Sequence, residues 1–161
     1  MSFDNLSDLF AFLEENIPIN LEIIGEEVKQ ILRDNVQQLW YGRPYTPTHY
    51  TRTMEYINSL QCSKVKKVGN AYEVEVYFAI DLIFPHPAEN REWSKHESII
   101  DGEDVSAVIP YYIEYGNNSS LFKYEGVHPM EITTNWLEET NYLKNRMLEL
   151  LKTHGFIISL R

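Results

Sequence analysis

Leu21, Ile24, Val28, Ile31, Leu32, Leu39 and Trp40 constrain this chain more than anything else in it. Their spacing of three and four residues puts them on one stripe of an α-helix, with Val36 on its flank. Glu22, Glu26, Glu27, Lys29, Arg33 and Asp34 fall largely outside that stripe. A helix of about five turns with one apolar face draws its stability from whatever covers that face, so the rest of the chain has to supply the cover. Asn20 stands where a cap is needed at its start, and Gly42 with Pro44 stands where it must stop. Ahead of it, Leu6, Leu9, Phe10 and Leu13 predict a shorter helix over residues 3–15, capped by Asp4 or Asn5 and ended by Pro18. Gly25 costs up to about 1 kcal/mol against Ala inside a helix, and so marks close packing or a bend.

The cover is predicted to be a sheet. Met54 to Leu60 leads the chain into it, and Lys64–Val68 and Ala71–Ile80 read as antiparallel strands joined at Gly69-Asn70. In the second strand Tyr72, Val74, Val76, Phe78 and Ile80 face one way and Glu73, Glu75 and Tyr77 the other, as in a strand with one covered and one wet face. Residues 84–104 are polar, rich in turn formers and long for a loop. Asp101 or Asp104 is placed to start a short helix holding Val105, Val108, Ile109, Tyr112 and Ile113, with Pro110 an awkward interior residue. Gly116-Asn-Asn-Ser-Ser reads as a turn and 122–134 as loop or edge strand. A last helix over 135–153 carries Trp136, Leu143, Met147, Leu150 and Leu151 on one face. Gly155 caps it, and 156–160 is long enough for a terminal strand.

With 161 residues, a single domain is expected over 1–161. Within it, 1–19 forms an N-terminal helical arm and 20–161 the core. The formal net charge of −10 argues against a broad nucleic-acid surface, which needs clustered Lys and Arg, and Lys64, Lys66 and Lys67 are too few to reverse it. One cysteine, Cys62, excludes an internal disulfide and fits a reducing compartment. The first residues lack the pattern of a signal peptide, and no apolar run nears the ~18 residues of a membrane span. Synthesis in the cytoplasm follows as the expectation.

Catalytic patterns are weak. None of the five histidines forms a tight local pair of metal-ligand spacing. His86, His96 and Asp101 share the long loop and make the best metal-hydrolase set, against the plainer reading of solvated loop residues. Ser59, Ser94, Ser98 and Ser106 lack a nucleophile-elbow context, and Cys62 borders a strand, where a buried and inert thiol is usual. Paired carboxylates such as Glu26/Glu27 and Glu138/Glu139 read as solvated helix faces. The stronger signal is aromatic. Trp40, Tyr41, Tyr45 and Tyr50 lie beside Arg43 and Arg52, and Tyr111, Tyr112 and Tyr115 cluster later. Tyrosine with arginine is the composition of protein-docking hot spots, and equally of a core edge.

The order of segments adds a resemblance. After the long helix come Tyr50-Thr-Arg-Thr-Met-Glu-Tyr-Ile-Asn-Ser-Leu, a hairpin, a polar loop, Pro110-Tyr-Tyr-Ile-Glu-Tyr-Gly116, His128-Pro129 and a final helix ending Leu150-Leu-Lys-Thr-His-Gly155. Over about residues 20–155 this resembles the tail-completion, or head–tail joining, proteins of long-tailed bacteriophages. Arg52, Thr53, Ser59 and Leu60 match the family's first segment, with Met54 where Gly is usual. Tyr112, Glu114 and Gly116 match the second, with Asn117 in place of Thr, and His128-Pro129 match the third. The resemblance implies an α+β fold, with N-terminal and C-terminal helices packed on a curved antiparallel sheet. It also implies a ring-like homo-oligomer in the neck or at the head-proximal end of the tail, contacting phage connector and tail proteins, and no catalysis.

On that reading the interface candidates are Tyr41, Arg43, Tyr45, Tyr50, Arg52, Tyr112, Glu114, Tyr115 and His128, and neither cofactor, metal nor membrane is expected. The protein would be found in the virion, and an acidic lumen bearing Glu73 and Glu75 would pass DNA without sequence-specific binding. Two alternatives stand beside it: a small acidic monomeric binding or inhibitor protein of phage or host, and the hydrolase built on His86, His96 and Asp101.

Overall fold

The computed structural model describes residues 3, 5–44, 54–83, 99–100, 103–104, 109–118 and 123–156. Its dominant element is α1, Leu6–Val36, a single helix of 31 residues. The two helices expected on either side of Pro18 are therefore one, and this corrects the sequence reading. A proline inside a helix removes one N–H and crowds the carbonyl four residues back, but it does not forbid the helix when packing holds both halves. Asn16 supports the turn before the proline by donating from Nδ2 to the Phe12 carbonyl at 2.8 Å. Asn20, read as a cap, is instead an interior helix residue, fully buried, with Oδ1 3.2 Å from His154 Nε2.

The fully buried positions of α1 are Asn16, Asn20, Ile24, Gly25, Leu32 and Val36, and Val28 is half-buried. Apart from Gly25 they recur every fourth residue. Such a row drifts by about 40° at each step, so the covered seam winds around the helix instead of running straight. That drift takes Val36 from the expected flank to complete burial, at 0% exposure, and leaves Leu39 and Trp40 half-buried. After Val36 the helix widens into a π-helical turn, Gln37–Tyr41, closed by the Gly42 N–H donating to the Gln37 carbonyl at 2.8 Å.

The strands are short. A one-turn helix α2 (Glu55–Asn58) delivers the chain into β1 (Leu60–Cys62), and β2 (Lys66–Val68) turns at Gly69-Asn70 into β3 (Ala71–Glu73). β4 (Val76–Phe78) pairs with β1. The long hairpin of the sequence reading is present but interrupted. In β2–β3 Lys66 lies opposite Glu73, and a regular ladder would set Ser63 opposite Val76. The Ser63 N–H donates instead to the Glu75 carbonyl at 2.8 Å, and the Glu75 N–H donates to Ser63 Oγ at 2.9 Å. One extra residue is thus absorbed on the Ser63–Lys66 side, as in a bulge. Because the irregularity sits on the opposite strand, the alternation from Ala71 to Phe78 survives as expected, with even-numbered positions half-buried and odd-numbered ones exposed. It fails at Ile80, 42% exposed, where the chain leaves the strand for a 3-10 turn, Ile80–Leu82.

The end of the polar loop is more regular than expected: β5 (Ile99–Ile100) and β6 (Glu103–Asp104) pair antiparallel, while 84–98 and 101–102 lie outside the described residues. α3 (Ile109–Tyr115) holds Pro110 in its first turn, where a missing N–H costs nothing. The expected turn after Gly116 begins as a strand, β7 (Gly116–Asn118), antiparallel to β8 (Lys123–Glu125). The last helix is two: α4 (Pro129–Glu139) and α5 (Tyr142–Thr153), broken at Asn141 in the left-handed region with φ 51°. Asn tolerates that conformation better than most residues. Of the face expected for one long helix, Leu150 and Leu151 are buried, while Trp136 and Leu143 are exposed. Gly155 does end α5 as expected: its N–H donates to Lys152 O at 2.9 Å and the Phe156 N–H to Leu151 O at 3.1 Å, at φ 86°.

By contacts the chain groups into two units, Met1–Gln30 with Cys62–Val76 and Asn135–Arg161, and Ile31–Gln61 with Tyr77–Thr134. In the first, α1 is tied to α5 by Glu27. Arg146 donates from Nε and Nη2 to its carboxylate, at 2.7 Å for the shortest bond, and the Tyr142 hydroxyl donates at 2.9 Å. The rings of Phe3, Phe12 and Phe156 form a triangle with centroids 5.3–6.0 Å apart, which joins the start of α1 to the end of α5. Gly25 marks close packing: a Cβ there would sit 2.7 Å from Cys62 Sγ and 2.8 Å from Val74 Cγ2. In the second unit, Arg33 donates to the Ile57 carbonyl at 3.3 Å and Asn35 to Thr133 Oγ1 at 2.8 Å, while Tyr56 stacks on Phe78 at 4.4 Å. The structure is therefore mixed helix and small antiparallel sheets, with most of the described residues helical. Among the described residues no helix is long and apolar enough to cross a membrane.

Two expected outcomes follow from the first unit. Gly25→Ala gains about 1 kcal/mol of helix propensity but overpacks a site where added methyl groups cost about 1–3 kcal/mol. The net effect is a loss of stability in urea unfolding, and a gain would show that the contact with Val74 is not tight. Hydrogen bonding to Arg146 holds the Glu27 carboxyl below its ordinary value of 4.5; partial burial opposes this and Tyr142 assists it. A lowered folded-state value means the contribution to stability is complete above the unfolded value and is lost as pH falls through the folded one. Arg146→Ala should move the Glu27 midpoint upward in carboxyl NMR titration and reduce the difference in thermal midpoint between neutral and acid pH.

Candidate functional site

The candidates Tyr112, Glu114, Tyr115 and His128 meet where α3 gives way to α4. Ile109 and Pro110 start α3, and its seven residues send Ile113 and Glu114 inward while Tyr111 and Tyr115 share the outer face. These two tyrosines are 59% and 61% exposed, with ring centroids 4.8 Å apart, as expected for an i, i+4 pair. Tyr112 is half-buried between them in sequence, with its ring 6.2 Å from that of Tyr111.

Gly116, at φ 85°, turns the chain away, and β7–β8 returns it to the end of α3. There Gly126 passes so close that a Cβ would collide with the Glu114 carbonyl oxygen. This closeness lets the Val127 N–H donate to Ile113 O at 2.9 Å and the His128 N–H to Glu114 O at 3.3 Å. The chain then enters α4 at Pro129. His128, just before it, holds φ 50°, an unusual conformation for a residue with a side chain.

Glu114 closes the junction. Its side chain is 4% exposed, and its two carboxylate oxygens accept the Met130 and Glu131 N–H groups, each at 2.9 Å. Those are first-turn donors of α4 with no partner inside the helix, and a carboxylate there also meets the positive end of the helix dipole. Glu114 is thus a cap supplied from another helix, and its carboxylate points inward. Sequence reasoning missed this role. The available signal was a helix beginning at Pro129 without Ser, Thr, Asp or Asn before it, which demands an acceptor from elsewhere.

His128 stands over this cap. Its Nδ1 lies 3.4 Å from Glu131 Oε2, is shielded from solvent and makes no hydrogen bond, although the side chain as a whole is 42% exposed. The Tyr115 ring meets the imidazole edge-on at 6.3 Å. Glu114, His128 and Glu131 each offer one ligand atom, and the three atoms lie within 4.8 Å of one another. Glu131, Met130 and Gly126 are further parts of the site that were not singled out from sequence.

The other candidates lie apart or outside the described residues. Tyr41 ends the π-helical turn, half-buried, and Arg43 is exposed just beyond it. Tyr45, Tyr50 and Arg52 fall outside the described residues, as do His86, His96 and Asp101. Cys62 is a free, half-buried thiol whose pKa is pushed up by burial and then by the nearby Glu26 carboxylate, which suits a packed cysteine better than a nucleophile.

The worth of the Glu114 cap is testable directly. Two charge-assisted bonds to otherwise unpaired amides predict that Glu114→Ala costs about 2–3 kcal/mol in chemical unfolding, with loss of amide-exchange protection at Met130 and Glu131. Unchanged protection there would show that α4 needs no cap from α3. No protein-family model, curated protein or solved structure matches the chain.

Proposed function

We propose that this chain is a structural protein of a tailed-phage virion, forming a ring in the neck or at the head-proximal end of the tail and joining head to tail. The reading rests on the resemblance carried by Tyr50–Leu60, Pro110–Gly116 and His128-Pro129. The observation that supports it best is the pair Tyr111 and Tyr115, whose neighbouring, exposed rings, tilted 48° to one another, lie within the second of those segments. Exposed paired tyrosines are costly to leave wet and well suited to docking. The acidic surface expected of net charge −10 keeps a free subunit soluble before assembly.

The reading carries finer expectations. The helices would lie on a curved antiparallel sheet, completed where the short ladders of neighbouring subunits meet. Tyr41, Arg43, Tyr112, Tyr115 and His128 would contact copies of the chain or the connector and tail proteins. Glu73 and Glu75, both exposed, would face the lumen through which DNA passes. No bond-breaking step is assigned to any residue.

Mass spectrometry of particles purified from the source, with and without tails, tests this. The chain should be present at several copies per particle. Its absence from particles, with abundance in infected cells, would overturn the reading and leave a soluble acidic binding or inhibitor protein.

A further inference from the structure

The geometry points to a binding site for one divalent transition-metal cation of the zinc class, held by His128 Nδ1 and one carboxylate oxygen each from Glu114 and Glu131. The site does not depend on the proposed place in a virion. Three donors of lone pairs converge within 4.8 Å of one another. A tetrahedral ion at about 2.0–2.2 Å from each donor needs them about 3.3–3.6 Å apart, so the cluster must draw in by roughly 1 Å. Glu131 has that freedom, because its side chain is 60% exposed.

The second observation is the imidazole. Nδ1 is cut off from solvent and lacks a hydrogen-bond partner, and the nearest carboxylate oxygen, on Glu131, is 3.4 Å away. A solvent-shielded imidazole nitrogen without a hydrogen bond, in only loose ion-pair range of Glu131, is poorly satisfied as it stands, and a cation at the centre relieves it. Glu114 remains available as a ligand while it caps α4. A carboxylate offers about four lone-pair positions, of which Met130 and Glu131 N–H groups take two. These bonds then serve as the outer support that orients a ligating carboxylate.

The donor set selects the ion. One imidazole with two carboxylates suits Zn²⁺ or its first-row neighbours, whereas Ca²⁺ and Mg²⁺ prefer oxygen alone and Cu⁺ prefers sulfur. Three protein donors leave the fourth position to water. Bound there, the ion would fasten the last turn of α3 to the first turn of α4.

The test uses the full chain, stripped with chelator and titrated with Zn²⁺ by calorimetry, with Co²⁺ as the spectroscopic probe. Expected are one strong equivalent per chain, tetrahedral Co²⁺ absorption bands, and a thermal midpoint that rises with Zn²⁺. Glu131→Gln and His128→Asn should each weaken binding at least about tenfold and abolish the thermal shift. Asn suits the left-handed backbone at position 128, and Glu131 is exposed, so Glu131→Gln decides the matter even if the other variant folds poorly. The proposal is overturned if no saturable equivalent binds, or if Glu131→Gln binds as tightly as the unaltered chain, which would place the metal on other histidines.

Discussion

The continuity of α1 through Pro18 is the constraint on which the rest depends. Among the described residues the strands are two or three residues long, and each ladder pairs two strands. Such ladders are marginal alone and need a partner surface. The 31-residue helix offers one in the first unit, where the Gly25 notch meets Cys62 and Val74, and in the second it buries Leu32 and Val36. Its proline costs a backbone bond, and packing on both sides of Pro18 offsets that cost. Before it, Phe12 lies in the aromatic triangle with Phe3 and Phe156. After it, Asn20 meets His154 and Glu27 meets Arg146 and Tyr142. The partners Phe156, His154, Arg146 and Tyr142 all belong to α5 or its end, so the C-terminal helix holds both halves of α1 in one line.

The second unit solves a related problem at smaller scale. α3 is too short to be stable by propensity, and α4 lacks a local cap. Each supplies what the other needs. The carbonyls of Ile113 and Glu114 take the Val127 and His128 amides, and the Glu114 side chain takes those of Met130 and Glu131. The close passage at Gly126 and the positive φ of His128 are what bring the two helix ends together. The same geometry leaves Tyr111 and Tyr115 outward and an imidazole nitrogen near two carboxylates, so the proposed docking face and the proposed metal site share one junction.

Much of the local structure was legible. The strand alternation of Ala71–Phe78, the turn at Gly69-Asn70 and the stop at Gly155 are written in period and in glycine placement, which depend on neighbours in sequence. The elements misread were those decided by distant partners. Pro18 was read as a stop because the local cost was visible and the compensating contacts with α5 were not. The final helix was read as one because Asn141 gives no strong local signal for a break. Of the site, Tyr112, Tyr115 and His128 were found as aromatic and matching positions. Glu114 was singled out as a matching position of the resemblance, and only the missing cap of α4 explains its burial.

By itself the sequence determined a helix-rich acidic chain with a half-covered hairpin, a cluster of tyrosines at 111, 112 and 115, and only weak catalytic patterns. These follow from side-chain period, turn chemistry and composition, which are local or additive properties. Only the tertiary structure decided that α1 is unbroken, that its buried seam winds to Val36, and that Glu114, His128 and Glu131 converge. Those outcomes depend on hydrogen bonds and packing between residues far apart in the chain, such as Glu27 with Arg146 and Glu114 with Met130. A buried carboxylate and an exposed one look alike in a sequence, and the difference arises only when a helix end arrives to receive it.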